Sequence, residues 1–303
     1  ARIFSGVFSA SFTTATAYIA DITPPEKRAQ AFGMIGAAFG VGFIIGPIIG
    51  GQLGAIDLRL PFWFAAGVAL LNFLYGVFVL PESLPKERRT ATFDWSHANP
   101  VGSMVLLKRY PQVFGLAAVV LIANLAHYVY PSVFVLFAEY QYRWNEQQVA
   151  WVLAAVGVCS VIVQAGLVGR VVPKFGERRT LLFGLACGVV GFCIYGMADL
   201  GWMFLIGLPI SALWGLAGPA TQALIPQQVG ADVQGRVQDA LMSLVSLAGI
   251  VGQMMFAGTF ALLIGKAAPA HLPGAPWLLA ALLLAIGWLV GWRFARPPSA
   301  AAH

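Results

Sequence analysis

Long apolar runs, each closed by a short polar cluster, repeat from one end of the chain to the other. A run of about 20 predominantly apolar residues is long enough to cross a bilayer as a helix. By that measure nine spanning helices are predicted, over 1–20, 24–55, 61–80, 113–138, 147–169, 179–198, 202–225, 236–264 and 275–294. Thr23 and Glu26 form a capping-box pattern and Pro24 suits a first helical position, so the second helix is expected to begin there. Residues 82–112 break the rhythm. They are polar, carry Lys86, Arg88, Arg89, Lys108 and Arg109, and form the longest stretch without a span. The predicted organisation is a bundle over 1–81, a connecting loop over 82–112, a six-helix bundle over 113–296 and a tail over 297–303.

Composition sharpens this picture. The 303 residues are 59% hydrophobic and 10% charged, with a mean hydropathy of +0.80. Soluble domains carry about 25% charged residues. An all-α polytopic membrane protein follows, with the lipid bilayer as its surroundings. The net charge of +6 does not make a nucleic-acid surface, because the basic residues sit in short loops. With 82–112 placed in the cytoplasm, 14 of the 18 Lys and Arg fall on that side and three (Arg59, Arg143, Lys266) on the other, with Arg2 inside the first span. Cytoplasmic loops carry such an excess, so the orientation and the span count support each other. Cys159, Cys187 and Cys193 all lie in apolar segments without metal-ligand spacing and read as packing residues. GxxxxGK[ST], HExxH and nucleophile-elbow patterns do not occur, so neither an ATP-driven pump nor an enzyme is expected, and no metal or organic cofactor. The chain opens at Ala1 inside an apolar run without a signal peptide, and reads as cut at its N-terminus. Trp63, Trp144, Trp202 and Trp277 lie near span ends and are expected at the membrane interfaces.

The stretch Gly40–Leu53 holds five glycines and Pro47 in an uncharged apolar segment. Interior glycine and proline cost about 1 and 3 kcal/mol in a soluble helix, but membrane helices tolerate them and use small residues for close packing. Gly42, Gly46 and Gly50 share a face, and Pro47 removes a backbone donor. A close helix partner at Gly46 and Pro47 is expected. A second copy of the pattern runs from Arg236 into Gly249 and Gly252, as Arg28 runs into Gly42 and Gly46. Internal repeats of this kind build transporters whose site lies at the repeat interface near the midplane.

Gly42, Gly46, Pro47, Gly50 and Gly51 together resemble the fifth-helix motif of drug/proton antiporters in the major facilitator superfamily. Arg2 with Gly6, Asp21 followed by Glu26-Lys27-Arg28, Leu80-Pro81-Glu82-Ser83, and Gly169-Arg170 with Gly176-Glu177-Arg178-Arg179 are similar, in order, to motifs of the tetracycline-resistance (TCR/Tet) branch. The resemblance implies the superfamily fold with nine of its twelve helices present. Residues 1–81 are then helices 4–6, 113–296 helices 7–12, and helices 1–3 are lacking. It also implies gate roles for Arg2, Asp21, Gly169, Gly176, Arg178 and Arg179. Arg236, Asp232 and Asp239 lie near the next cytoplasmic junction and are expected to supply gate partners. Two positions depart from the branch: Ser160 stands where it has a histidine, and Gly188 where it has an aspartate.

Candidate ligand contacts are the polar residues inside spans. Asn124, His127, Gln164 and Gln222 are predicted to line a substrate cavity, because a buried polar side chain in lipid must face protein or water. His127 titrates near neutrality when unperturbed, so it is a candidate proton carrier. A satisfied packing histidine is the competing reading, and a carboxylate in the lacking first helix is the preferred carrier. The expected function is secondary active export of an amphipathic, tetracycline-like molecule in exchange for protons by a monomer in the cytoplasmic (inner) membrane. The alternatives are a metabolite uniporter or symporter of the same fold, or an inactive truncated fragment.

Overall fold

The computed structural model describes residue 18 and residues 22–23, 28–82, 110–229, 234–264 and 272–295. The first predicted span apart from residue 18, together with Arg2 and Asp21, most of the 82–112 loop, Asp232 and the 297–303 tail lie outside these residues. Among the described residues all regular structure is helical. The chain divides into two compact units, Ala1–Trp95 and Ser96–His303.

The first unit holds α1 (Arg28–Ile56), with Pro47 inside it, and α2 (Leu60–Phe78). The predicted turn between them is built on Asp57. Its carboxylate accepts the Arg59 N–H at 2.7 Å and its carbonyl accepts the Leu60 N–H at 3.0 Å. Helix α2 is apolar all round and none of its residues is buried, so its surface is left for lipid or other helices. Trp63, 73% exposed, stands at its start as an interfacial tryptophan does.

The second unit holds α3 (Pro111–His127), α4 (Val129–Tyr142), α5 (Glu146–Val161), α6 (Val168–Phe175), α7 (Glu177–Met197), α8 (Gly201–Ala212), α9 (Ala217–Leu224), α10 (Gln234–Ile264) and α11 (Ala275–Phe294). A π-helical segment, Ile162–Leu167, joins α5 to α6, and a 3-10 segment, Leu213–Leu216, joins α8 to α9. Seven described helical stretches are long and apolar enough to span: 60–78, 111–142, 146–175, 177–197, 201–224, 240–264 and 275–294. Helix α1 carries a shorter apolar stretch, Ile44–Ile56. Eight of the nine predicted spans thus overlap a helix, and the first, apart from residue 18, lies outside the described residues.

Helix α7 is central in this unit, packing on α11 and on α8–α9, while α3 packs on α11 and α10. Glycines set these approaches, since helices in lipid associate through close packing rather than hydrophobic burial. A Cβ at Gly191 would lie 2.8 Å from Cα of Ser211, and one at Gly184 would lie 2.9 Å from the Ala217 nitrogen. Polar bonds fix the ends. Asn145 and Gln148 close a capping box on α5 with bonds of 2.8 and 3.0 Å, and the Tyr142 hydroxyl donates to the Ala198 carbonyl at 2.8 Å.

One expectation is corrected. Trp277 is 0% exposed, not an interfacial anchor. Tyr130 and Tyr195 pack edge-on against its indole, each at 5.1 Å, and Phe134, Phe137, Phe192 and Phe204 complete the cluster. Three other helices, α4, α7 and α8, converge on this one side chain, and rings gain from edge-to-face contact beyond their area. The three cysteines are free and half-buried, as packing residues.

Candidate functional site

Three spans of the second unit lose regular α-helix part-way along, and two of the breaks touch. Pro131 cannot donate to the His127 carbonyl, so α3 and α4 part at Tyr128, whose N–H is shared between Asn124 and Leu125 at 3.3 and 3.1 Å. The second break is the π segment that carries Gln164. The third is the 3-10 segment that carries Trp214, between Pro209 and Pro219. Gly215 brings the last two together: a Cβ there would meet Val163 Cγ1 at 3.6 Å and Gln164 Cγ at 3.9 Å. The His127 ring lies 5.7 Å from the Trp214 ring, which closes the third side. Interrupted helices inside the membrane are tolerated where their freed backbone groups face protein or a cavity, and π segments recur at functional sites.

The predicted cavity residues divide at this point. His127 and Gln164 converge on 213–216, and both are exposed on the unit. Gln164 also donates to the Ser160 hydroxyl, one helical turn back, at 3.1 Å. Asn124 is half-buried and donates to the Val120 carbonyl of its own helix at 2.8 Å. Gln222 is exposed on α9, roughly two turns past Trp214. Trp214 is the residue that sequence reasoning missed. Beneath it lies Gly188, where a Cβ would stand 3.0 Å from the indole Cγ and 2.6 Å from Leu284 Cδ1. Among the described residues His127 is the one ionisable side chain in this layer apart from tyrosines and cysteines.

The motif residues are placed as follows. Gly42, Gly46, Pro47, Gly50 and Gly51 all lie on α1, and among the described residues nothing stands within 4 Å of a Cβ at Gly42, Gly46 or Gly50. Within the described residues of the first unit, no close partner stands at this face. The second copy has one. A Cβ at Gly249 would lie 2.7 Å from the Tyr128 hydroxyl, and one at Gly252 would lie 2.8 Å from Tyr128 Cβ. Gly169 is exposed on α6, and Arg236 lies in the first turn of α10. Gly176 turns the chain between α6 and α7 at φ +79°, a conformation that favours glycine. Arg178 then donates to the Trp292 carbonyl at 3.0 Å, tying the α7 start to the α11 end, and Arg179 is exposed. A cation near a helix C-terminus also suits the helix dipole.

The family model described as the Major Facilitator Superfamily matches residues 1–253. The chain belongs to the major facilitator superfamily. It is 36% identical over 282 residues to the class C tetracycline resistance protein of Escherichia coli, covering 93% of this chain and 69% of that one. It is 35% identical to the class G tetracycline resistance protein of Vibrio anguillarum, covering 94% and 71%. It is 28% identical to the hippocampus abundant transcript 1 protein of Mus musculus, covering 84% and 53%. Among solved structures, the human organic anion transporter MFSD10 (TETRAN) superposes with a TM-score of 0.65 at 22% identity, over 91% of this chain and 66% of that one, a likeness of fold. This superfamily member is thus a multi-pass membrane transporter whose relatives include tetracycline resistance proteins.

Proposed function

We propose that the chain exports an amphipathic, drug-sized molecule, of which a tetracycline is the model, in exchange for protons by alternating access. The observation that carries this is the convergence of His127, Gln164 and Trp214 where three interrupted spans break. An indole beside an imidazole offers a flat apolar platform, and Gln164 and Ser160 offer neutral donors and acceptors. Such a surface suits a fused-ring molecule with a polar edge. A uniporter or symporter for a polar metabolite would call for more convergent polar groups than one histidine and a glutamine–serine pair.

The gate reading for Gly46, Pro47, Gly169, Gly176, Arg178, Arg179 and Arg236 rests on the motifs and on their place at span ends or on smooth faces. We assign the coupling proton to a group outside the described residues, and His127 to the ligand. The transporter acts as a monomer in the cytoplasmic membrane of a bacterium. In vesicles holding a pH-sensitive dye and an imposed gradient, adding a tetracycline should dissipate the gradient in step with the drug moved. Dissipation by a sugar or amino acid instead would favour the metabolite reading.

A further inference from the structure

At one end of the second unit the α6–α7 turn and the ends of α9 and α11 line an open cavity of about 510 Å³. Phe175, Arg178, Arg179, Leu182, Leu224 and Trp292 line it. Arg178 uses one guanidinium nitrogen on the Trp292 carbonyl at 3.0 Å, while its Nε is buried with no hydrogen-bond partner. Arg179 is exposed beside it. The α7 N-terminus opens here without a side-chain cap, so its first N–H groups add a partial positive charge. The carboxylate in the lining, Glu177, accepts from Gln227 at 3.5 Å. Lys174 lies 5.5 Å over the Phe175 ring, and Arg293 follows Trp292. The cations therefore outnumber the carboxylate around one hollow.

The rim is apolar in a way a soluble anion does not need. Phe175 is 51% exposed and Trp292 57% exposed, at the point where two spans end and the next begins. Exposed aromatics at span ends sit among lipid headgroups, and basic pockets between spans collect anionic ones.

We propose that this cavity binds the phosphate of an anionic phospholipid from the adjoining leaflet. Arg178 and Arg179 hold the phosphate, the α7 N–H groups face it, and Phe175 and Trp292 flank its glycerol and upper acyl chain. This inference goes beyond the export reading and is independent of the exported molecule. Because Arg178 and Arg179 also belong to the proposed gate, an occupied cavity would tie the turn to the lipid composition of the leaflet.

The test uses the whole chain in vesicles of phosphatidylcholine containing phosphatidylglycerol, with either lipid brominated near the carbonyl end of its chains. The emission lost on Trp292→Phe isolates Trp292 as a reporter. Brominated phosphatidylglycerol should quench it more strongly than brominated phosphatidylcholine at equal mole fraction. Arg179→Gln should reduce that preference about fivefold, from the roughly 1 kcal/mol per basic residue near an anionic surface. Arg179→Lys should keep most of it. Arg178→Gln also loses the tie to Trp292, so Arg179 carries the decision. Equal quenching by the two lipids, or an unchanged preference in Arg179→Gln, would overturn the proposal. If 20 mM inorganic phosphate at constant ionic strength removes the preference, the site takes free phosphate and the lipid assignment is wrong.

Discussion

Gly188 offers a direct perturbation of the Trp214 layer. It sits on α7, buried, under the indole. A methyl added there would stand 2.6 Å from Leu284 Cδ1 and 3.0 and 3.2 Å from Trp214 Cγ and Cβ. Ordinary carbon contacts need about 3.5–4.0 Å, so both neighbours must move. Leu284 can turn its methyl away, but the indole is held between His127 at 5.7 Å and Phe192 at 5.4 Å. Overpacking of this kind costs roughly 1–3 kcal/mol. Gly188→Ala should therefore lower the thermal midpoint of the detergent-solubilised protein, followed by size-exclusion chromatography, and reduce drug transport by tilting the platform. Gly188→Asp should do more, since it adds a larger, charged group at a buried contact with Leu284 and Trp214. The mechanism predicts coupling. In a Trp214→Ala background the contact at Cγ is gone while the one at Cβ, 3.2 Å, stays free to relax without the ring, so the added cost of Gly188→Ala should shrink. If that cost is the same with and without Trp214, the clash at the indole is not its source.

His127→Gln should weaken transport modestly through lost ring contact with Trp214 and leave gradient dependence in place. Gradient-driven uptake abolished with downhill exchange preserved would instead assign the proton to His127. Gly252→Leu should block transport without preventing membrane insertion, because Tyr128 leaves no room for the side chain; full activity would count against a tight α3–α10 contact. Gly46→Leu should also block transport with insertion intact, and unchanged export would refute a gate role for that face. Tyr142→Phe should lower stability by about 1 kcal/mol, the net value of one hydrogen bond, as the bolt to Ala198 is lost; an unchanged melting profile would show that bond to be idle.

Span positions were legible because twenty apolar residues between charged clusters leave the chain few options in lipid. Several predicted ends, such as Phe294 for the last helix and Ile264 for the helix before it, lie at or next to those found. The breaks were less legible. Pro131, Pro209 and Pro219 were readable signals, and each removes one backbone donor. No comparable signal marks Ile162–Leu167, where the π turn arises in a run of ordinary apolar residues around Gln164. His127 and Gln164 stood out as polar residues in apolar runs, whereas Trp214 did not, because an aromatic in a span reads as core. Its importance comes from Gly188 and His127, 26 and 87 residues away in the chain. Trp277 failed as an interfacial residue for the same reason: nearness to a span end is visible in sequence, but convergence of rings from three other helices is not.

The most direct test of the central claim is uptake of a labelled drug into inverted membrane vesicles carrying the protein, with the interior made acidic. The account predicts accumulation that follows the size of the gradient, collapses when an uncoupler is added, and falls in Trp214→Ala and Gln164→Ala while both variants remain in the membrane. Uptake indifferent to the gradient, or undiminished when Trp214 and Gln164 are removed together, would contradict it.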